Sequence, residues 1–350
     1  MASPSDEIFI SRLRAAGVEH VPWNASRNPG PGTVRETRAL RAIARAARPD
    51  VLHLHSSKAG LAGRLWKSDG APVVFQPHAW SFEAVDGPMR VATTTWERLA
   101  ARRTDVVLCV SEAERERGRA AGIRARFDVV ANGVDVVQFP FVDSAAAQLA
   151  KARLDLGVAP VVVCVGRLCR QKGQDLLVRA WGRVVDVVPD ARLVFVGDGP
   201  DRDDLSAGAP PSITFAGHRD DVAAWLAAAD VVVMPSRWEG MAFTALEAMA
   251  VGRSVVAFDV DGVRESLGDA GALVRPDDIA GLASAIVVRL DDEELREREG
   301  RLARARVESF HDARRQLERV VRLTADLAGV RLSVNGDGLP DRDGDVRGVD

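Results

Sequence analysis

The stretch VVVMPSRWEGMAFTALEAMAVG, residues Val231–Gly252, joins an apolar run to a helical pattern through a short loop. The run VVVMP ends at Pro235 and is apolar throughout, which predicts a strand covered on both faces of its sheet. Glu239 and Gly240 lie in the loop, and the alanine-rich remainder predicts a helix over Ala242–Val251. A buried strand that leads directly into a helix is the repeating unit of α/β folds with parallel sheets.

The same alternation extends over most of the chain. Strands are predicted at Glu19–Pro22, Val51–His55, Val73–Gln76, Val106–Val110, Asp128–Ala131, Val161–Val165, Arg192–Val196, Ile213–Ala216, Val231–Met234, Ser254–Phe258 and Ala272–Val274. Helical patterns lie at Asp6–Ala16, Thr33–Ala47, Ala59–Lys67, Met89–Ala101, Glu112–Ala121, Gln174–Val187, Val222–Ala228, Ala242–Val251 and Ile279–Arg289. The pattern therefore predicts an α/β protein whose parallel sheets are covered by helices.

A pause in this alternation, from about Val137 to Ala159, divides the chain into two halves. We predict a Rossmann-like domain at 1–140, a linker at 141–159 and a second Rossmann-like domain at 160–329, with the last helix free to pack back onto the first domain. Residues 330–350 are rich in Gly and Asp, which predicts a disordered tail. Two facing domains of this kind would bind ligands in the cleft at the carboxyl ends of their strands.

Composition excludes several classes of protein. The net charge is −3 and arginines alternate with acids, so the basic face of a nucleic-acid-binding protein is missing. Cys109, Cys164 and Cys169 have no metal-binding or disulfide spacing. The start of the chain is polar, unlike a secretory leader, and no apolar run approaches the ~20 residues of a membrane span. We expect a cytoplasmic protein, with peripheral contact at the inner membrane left open.

Glu239 and Glu247 are the first candidate site residues. Glu239 lies just before the predicted helix and Glu247 about two turns inside it, and this spacing, close to two full helical turns, is expected to place the two carboxylates near one line. A carboxylate accepts two hydrogen bonds and so suits a pair of sugar hydroxyls. Unpaired amides at the helix start, Gly240–Phe243, would bind a diphosphate. The alternative is a helix-terminal charge and a surface acid, but Glu247 stands among apolar neighbours, and a buried acid needs a partner.

A second candidate is VVVCVGRLCRQKG, which ends at Gly173. Its strand runs into Gly166 and Arg167, and Lys172 precedes the next helix. Two cations at a strand end and a helix start suit a diphosphate leaving group, because they neutralise the negative charge that grows as the bond breaks. Such a site would need neither a metal nor another cofactor. An ordinary basic loop is the alternative.

Histidines at strand ends are a third candidate. His55 ends its predicted strand and His78 follows the next one, and both could orient a hydroxyl, whereas His53 lies inside its strand and is interpreted as structural. No pair of histidines has the spacing of a zinc-binding helix. The turns at Gly197–Pro200 and Gly217–Arg219 are weaker signals for a nucleotide, since any turn from a strand to a helix can have this composition.

Together these segments resemble glycosyltransferase family 4, the retaining glycosyltransferases of the GT-B fold, over about residues 50 to 325. The resemblance rests on ANGVD (Ala131–Asp135), GRLCRQKG (Gly166–Gly173), VGDGP (ending at Pro200), PSRWEGMAFTALEAMAVG (Pro235–Gly252) and DVDGVRE (ending at Glu265). Glu239 and Glu247 match the family motif of two glutamates separated by seven residues.

The resemblance implies a role for each matching residue. Glu239 would contact the transferred sugar, His78 would lie near the reacting carbon, and Glu247 would bind the ribose hydroxyls. Arg167 and Lys172 would hold the diphosphate. The remaining donor-binding positions would be Gly166, Gly240, Met241, Ala242, Phe243 and Arg219, the last beside the base.

The resemblance also implies the partners. They would be a nucleotide-sugar donor and a glycan or polyprenyl-linked acceptor, as in bacterial exopolysaccharide or cell-surface glycan synthesis, without a metal. One departure stands out, because members usually begin with a strand, a Gly-rich loop and a helix, and this first βαβ unit is expected to be missing here. A non-catalytic nucleotide-sugar-binding protein therefore stays an alternative, and a GT-B sugar epimerase is a second one.

Overall fold

A computed structural model describes residues 1–26, 29–66, 68 and 70–331 of the chain. The tail predicted at 330–350 therefore lies, from residue 332 onward, outside the described residues. The chain forms two compact units. The first contains Met1–Cys109, Arg115–Val130 and the chain from Glu318, and the second contains Val110–Glu114 and Ala131–Leu317.

The first unit contains a four-stranded parallel sheet and a separate pair of short strands. The strands of the unit are β1 (Ala2–Ser3), β2 (Val21–Pro22), β3 (Leu52–His55), β4 (Val73–Gln76), β5 (Val106–Cys109) and β6 (Phe127–Val129). Its helices are α1 (Glu7–Ala15), α2 (Thr33–Ala47), α3 (Ser56–Arg64), α4 (Gly87–Ala100) and most of α5 (Glu112–Ala120). β3 to β6 pair in chain order, all parallel, while β1 and β2 pair only with each other.

Small residues allow α3 to lie against this sheet. A Cβ atom at Gly60 would stand 2.2 Å from the Phe75 ring, and one at Gly63 would stand 2.5 Å from the Leu54 side chain. Because real Cβ contacts are never that short, only glycine permits this approach. The helix thus covers β3, which ends at His55, and β4, which ends two residues before His78.

The second unit contains a six-stranded parallel sheet. Its strands are β7 (Val161–Val165), β8 (Arg192–Val196), β9 (Ile213–Gly217), β10 (Val231–Met234), β11 (Ser254–Phe258) and β12 (Gly271–Val274). Its helices are α6 (Ser144–Arg153), α7 (Gln174–Val185), α8 (Arg202–Ser206), α9 (Val222–Ala227), α10 (Phe243–Ala250), α11 (Asp261–Leu267), α12 (Ile279–Asp291), α13 (Glu293–Phe310) and the start of α14 (Ala313–Ala328).

The strands of this sheet lie in the order β9-β8-β7-β10-β11-β12. This is the doubly wound order of a Rossmann fold, whose two halves diverge between β7 and β10. Val161–Val163 and Val231–Val233 are fully buried, as strands with helices on both faces must be. The prediction of parallel sheets covered by helices is therefore confirmed, and a ligand site is expected beyond the carboxyl ends of β7 and β10.

The division between the two units differs from the sequence prediction. The segment 141–159, predicted as a linker, contains α6 and belongs to the second unit, as do residues 131–140. The Asp143 carboxylate caps α6 by accepting from the Ala146 amide, and Lys151 forms an ion pair of 2.6 Å with Asp230. An alanine-rich stretch with a cap favours a helix, and the ion pair fixes it beside β10.

The start of the chain also differs. A strand precedes α1, and β1, α1 and β2 form a small parallel βαβ unit. The sequence did not indicate β1 because two residues are too few for a periodic pattern.

Candidate functional site

Two loops meet at the switch point of the second sheet. The loop after β7 carries Gly166 to Gly173, and the loop after β10 carries Pro235 to Ala242. A Cβ at Gly173 would stand 1.9 Å from the Pro235 carbonyl oxygen, so only glycine allows the loops to touch there. Gly173 also has a φ of 68°, which glycine adopts without strain. This contact brings together the two segments on which the sequence prediction rested.

An ion pair joins the two loops. Lys172 Nζ donates to Glu239 Oε1 at 2.6 Å, with 23% of the lysine side chain exposed and 8% of the glutamate. The two candidate residues, to which the sequence assigned separate roles, therefore form an ion pair with each other. A carboxylate this buried needs such a partner.

A second set of contacts clamps the loops together. Arg237 binds the Asp175 carboxylate with two bonds of 2.8 and 2.6 Å, and this hydrogen bonding lowers the pKa of Asp175. The Arg237 amide donates to the Gln171 carbonyl at 2.8 Å, and Gln171 Nε2 donates to the Trp238 carbonyl at 3.2 Å. These contacts hold Lys172 and Glu239 at a defined separation. Sequence reasoning assigned no role to Arg237 or Asp175.

Glycines also shape the start of the first loop. Gly166 has a φ of 152°, and a Cβ at Gly197 would stand 2.1 Å from the Gly166 carbonyl oxygen. The turn after β8 therefore lies directly on the turn after β7. The half-buried Arg167 follows Gly166, and among the described residues its guanidinium has no hydrogen-bond or ion-pair partner. This arginine supplies a positive charge that a bound anion could use.

The amino end of α10 presents backbone amides. The helix begins at Phe243, and Ala242 at its N-cap has no side-chain hydrogen bond to offer. Gly240, Met241 and Ala242 are buried, whereas Phe243 is 51% exposed. Amides without helical partners at such an end favour an anion.

Asn132 fixes the peptide just before this helix. Its Nδ2 donates to the Met241 carbonyl at 2.8 Å, and its side chain is buried. The Asn132 carbonyl is in turn 3.2 Å from His311 Nδ1. Asn132 belongs to the ANGVD segment, but sequence reasoning gave it no role, because only the tertiary fold shows which carbonyl it reaches.

Glu247 lies on α10 and is half-buried. Burial raises the pKa of its carboxyl above the ordinary value. In the part of the chain that the structure describes, no cation or hydrogen-bond donor contacts this carboxylate. Because only residues 243–250 are helical, Glu239 stands in the loop, and the helical-turn argument for aligning the two glutamates does not apply.

Arg219 follows β9, on the same sheet edge but two strands away from β7. It donates two bonds of 2.9 Å to Asp221, and its guanidinium lies 5.5 Å from the centroid of the Trp225 ring. Its charge is therefore already compensated by Asp221, unlike that of Arg167. The prediction that Arg219 lies beside a base remains untested.

The first unit contains a cluster of three histidines. His55 Nδ1 and His78 Nε2 are 3.1 Å apart, and the rings of His53 and His55 stack with centroids 4.1 Å apart. Desolvation lowers the pKa of His53 and of His78 to about 4. His78 has a φ of 57°, an uncommon conformation for a residue with a side chain. The sequence indicated His55 and His78 but left out His53, whose ring joins the same stack.

The described residues contain neither a cluster of potential metal ligands nor a helix that could span a membrane. Within residues 1–26, 29–66, 68 and 70–331, no group of three or more His, Cys, Asp or Glu side chains could hold a metal ion. Over the same part of the chain, no helix has the length and apolarity that crossing a membrane requires.

Comparisons with known proteins identify two family models on this chain. The model described as Glycosyltransferase Family 4 matches residues 3–138, and the model described as Glycosyl transferases group 1 matches residues 159–292. The two matches cover both units.

Curated relatives and solved structures agree with these matches. The chain is 31% identical over 297 residues to the sulfoquinovosyl transferase SQD2 of Arabidopsis thaliana, and this alignment covers 78% of the chain and 56% of the relative. It is 30% identical over 270 residues to the lipopolysaccharide core biosynthesis mannosyltransferase LpsB of Rhizobium meliloti, which covers 69% of the chain and 74% of the relative.

The crystal structure of Anabaena Alr3699/HepE in complex with UDP and glucose has a TM-score of 0.79 at 22% identity, covering 93% of this chain and 91% of that one. At this identity the likeness concerns the fold alone, and it confirms the predicted GT-B fold class. The chain spans 56% of the length of the sulfoquinovosyl transferase SQD2 and 64% of that of the alpha-D-kanosaminyltransferase of Streptomyces kanamyceticus. With a Rossmann switch-point site in its second unit and both family models matched, the chain belongs to glycosyltransferase family 4, the group 1 glycosyl transferases.

Proposed function

We propose that this chain is a retaining glycosyltransferase that moves a sugar from a nucleotide-sugar donor to an acceptor hydroxyl. The observation that carries the proposal is the pair of loops at the switch point, where Lys172, Arg167 and the amino end of α10 supply positive charge at one sheet edge. A nucleoside diphosphate matches this set of groups in charge and hydrogen-bonding capacity.

Each group has a defined part in this proposal. Arg167 and Lys172 bind the diphosphate and stabilise the charge that it gains as the glycosidic bond breaks. Glu247 accepts hydrogen bonds from the ribose hydroxyls, which would compensate the burial of its carboxylate. The amides of Gly240 to Phe243 support the sugar and phosphate.

The salt bridge between Lys172 and Glu239 suggests an exchange on donor binding. A diphosphate would compete with Glu239 for the lysine ammonium, because both are anions near the same cation. Glu239 would then be available to hydroxyls of the transferred sugar. In the reaction, the bond from the anomeric carbon to the diphosphate breaks, and the leaving diphosphate keeps the electron pair. The oxygen of the acceptor hydroxyl then bonds to the anomeric carbon on the face that the diphosphate leaves, and the hydroxyl proton passes to the diphosphate.

For the acceptor we propose a glycan or a polyprenyl-linked sugar in cell-surface glycan synthesis, reached at the inner face of the membrane. This part rests on sequence resemblance and on the name of the relative LpsB, which refers to lipopolysaccharide core biosynthesis. His78 in the first unit is the proposed residue on the acceptor side.

The test measures binding of UDP-, GDP- and ADP-sugars by calorimetry and follows release of the nucleoside diphosphate by chromatography. Glu247→Ala should weaken the preferred donor about 10- to 100-fold, the effect of losing a charged hydrogen bond. The folding stability of the Glu247→Ala variant should not fall, because the substitution removes a carboxylate whose burial is unfavourable. Glu294→Ala, at an exposed position of α13, is the matched control and should bind as the wild type does.

Two results would decide against the proposal. If no nucleotide-sugar binds, or if Glu247→Ala binds the donor as tightly as Glu294→Ala does, the assigned donor site is wrong. If a donor binds but is neither hydrolysed nor transferred to any of a panel of glycan and polyprenyl acceptors, the alternative of a non-catalytic nucleotide-sugar-binding protein is favoured.

A further inference from the structure

The second unit has a cavity at the sheet edge opposite the candidate donor site. Its volume is about 190 Å³, and its lining includes Asp230, Arg253 and Ser254, which stand at the amino ends of β10 and β11. The donor loops follow the carboxyl ends of β7 and β10 instead. Strands of four to five residues separate the two edges by roughly 13–17 Å.

Two arginines in this cavity have no carboxylate partner among the described residues. Arg253 donates only to main-chain carbonyls, at Ala229, Val142 and Val251, and its Nε is buried without an acceptor. Arg296 donates only to the carbonyls of Arg289 and Leu290. Within the described residues, neither guanidinium forms an ion pair. Burial lowers the pKa of Arg253, and the charge of Arg296 lowers it further, whereas the charges of Asp230 and Asp143 raise it.

Most acidic side chains in the lining of the cavity already have hydrogen-bond or ion-pair partners. The Asp230 carboxylate accepts from Lys151 Nζ and from the Val161 amide, both at 2.6 Å. The Asp143 carboxylate caps α6.

Glu297 accepts from Ser144 Oγ at 2.9 Å and from Arg301 at 3.2 Å. Glu293 is exposed, at the first residue of α13. The positive charges of Arg253 and Arg296 are therefore not matched by an acid in contact with them.

We propose that this cavity is a second ligand site, which binds phosphate, free or as a phosphate ester, between Arg253 and Arg296. Guanidinium groups bind phosphate through paired hydrogen bonds, and an anion here would give both guanidinium groups the charged acceptor that no carboxylate in contact with them supplies. The site is independent of the proposed donor site, since it uses other residues at the other edge of the sheet. A phosphorylated metabolite bound there would act as a ligand beyond the reaction itself.

Inorganic phosphate is the probe, measured by calorimetry and by thermal unfolding against chloride at equal ionic strength. Arg296→Gln should weaken phosphate binding about tenfold, the effect of losing one charged contact. Arg298→Gln is the matched control, because it removes an exposed arginine of the same helix outside the cavity. Arg253→Lys, which keeps the charge, should weaken phosphate less than Arg253→Met does.

The donor site could also bind phosphate, so Arg167→Gln separates the two. The response to phosphate at the second site should persist in Arg167→Gln and require about tenfold more phosphate in Arg296→Gln. The proposal is overturned if phosphate has no more effect than chloride on the wild type, if the Arg296 and Arg298 variants respond alike, or if Arg167→Gln abolishes the response. A phosphate ester series then distinguishes free phosphate from an esterified ligand.

Discussion

A double-mutant cycle on Lys172 and Glu239 tests the central contact of the candidate site. The variants are Lys172→Met, Glu239→Gln and their combination, each measured by urea unfolding. At 2.6 Å and an effective dielectric constant of about 20, the gross attraction of two unit charges is about 6 kcal/mol. Desolvation of both groups, and the 23% exposure of the lysine, offset much of this attraction.

We therefore expect a coupling free energy of about 1–3 kcal/mol between the two substitutions. Glu239→Gln alone leaves a lysine that can still reach water, whereas Lys172→Met alone leaves a buried carboxylate without a cation. The lysine variant should consequently be the more destabilised of the two. Because the chain has two units, the unfolding transition of the second unit has to be resolved before free energies are assigned.

The ion pair between Glu297 and Arg301 is the control, since both of its side chains are exposed, at 45% and 63%. Its coupling should be about 0.3–0.5 kcal/mol. If the Lys172–Glu239 coupling is no larger than this control, the pair does not form in solution. With the preferred nucleotide-sugar at saturation, the coupling should also decrease, because the diphosphate replaces Glu239 as the partner of Lys172. An unchanged coupling would contradict the proposed exchange.

Three further predictions concern packing, pH and the peptide before α10. Gly173→Ala should lower the free energy of unfolding by more than about 2 kcal/mol, because its Cβ would stand 1.9 Å from a carbonyl oxygen. Gly182→Ala is the control: its Cβ would meet nothing within 4 Å, so it should raise the free energy of unfolding by about 0.5–1 kcal/mol. Thermal or urea unfolding measures both changes. The pKa values of His53 and His78, about 4, lie below the usual 6.5, so the unfolded chain binds more protons between these values, and stability should fall as the pH decreases from about 6.5 to 4. Melting temperatures at pH 7.5 and 5 measure this loss, and equal values at the two pH values would contradict it. Asn132→Ala leaves the buried Met241 carbonyl without its hydrogen-bond donor, and it should lower the free energy of unfolding by about 1–3 kcal/mol and weaken binding of the nucleotide-sugar. An effect on stability without any on the affinity for the nucleotide-sugar would limit Asn132 to a structural role.

The secondary structure of the sheets was predictable because it is local. Val161–Val165 and Val231–Met234 are strands with the bounds that their apolar runs indicated. Thr33–Ala47 is likewise a helix over its whole predicted range. Burial on both faces leaves a continuous apolar run in the sequence, and such a run can be recognised without knowledge of the partners.

Boundaries and connections were less predictable. The alanine-rich segment that forms α6 looked like a linker because its charged residues interrupt the apolar periodicity. Its attachment depends on Lys151, whose partner Asp230 is far away in sequence. The two-residue strand β1 left no pattern at all.

The sequence by itself determined the α/β class, the strand–loop–helix segments, the family resemblance and the residue types of the candidate site, because strand burial, helix periodicity and motif spacing are properties of neighbouring residues. Only the tertiary structure decided which of those residues touch. It paired Lys172 with Glu239, placed Glu239 in a loop before α10, directed Asn132 to the Met241 carbonyl and left Arg167 without a partner in the described chain. These outcomes depend on the strand order that brings β7 beside β10, and strand order is a long-range property that no local pattern encodes.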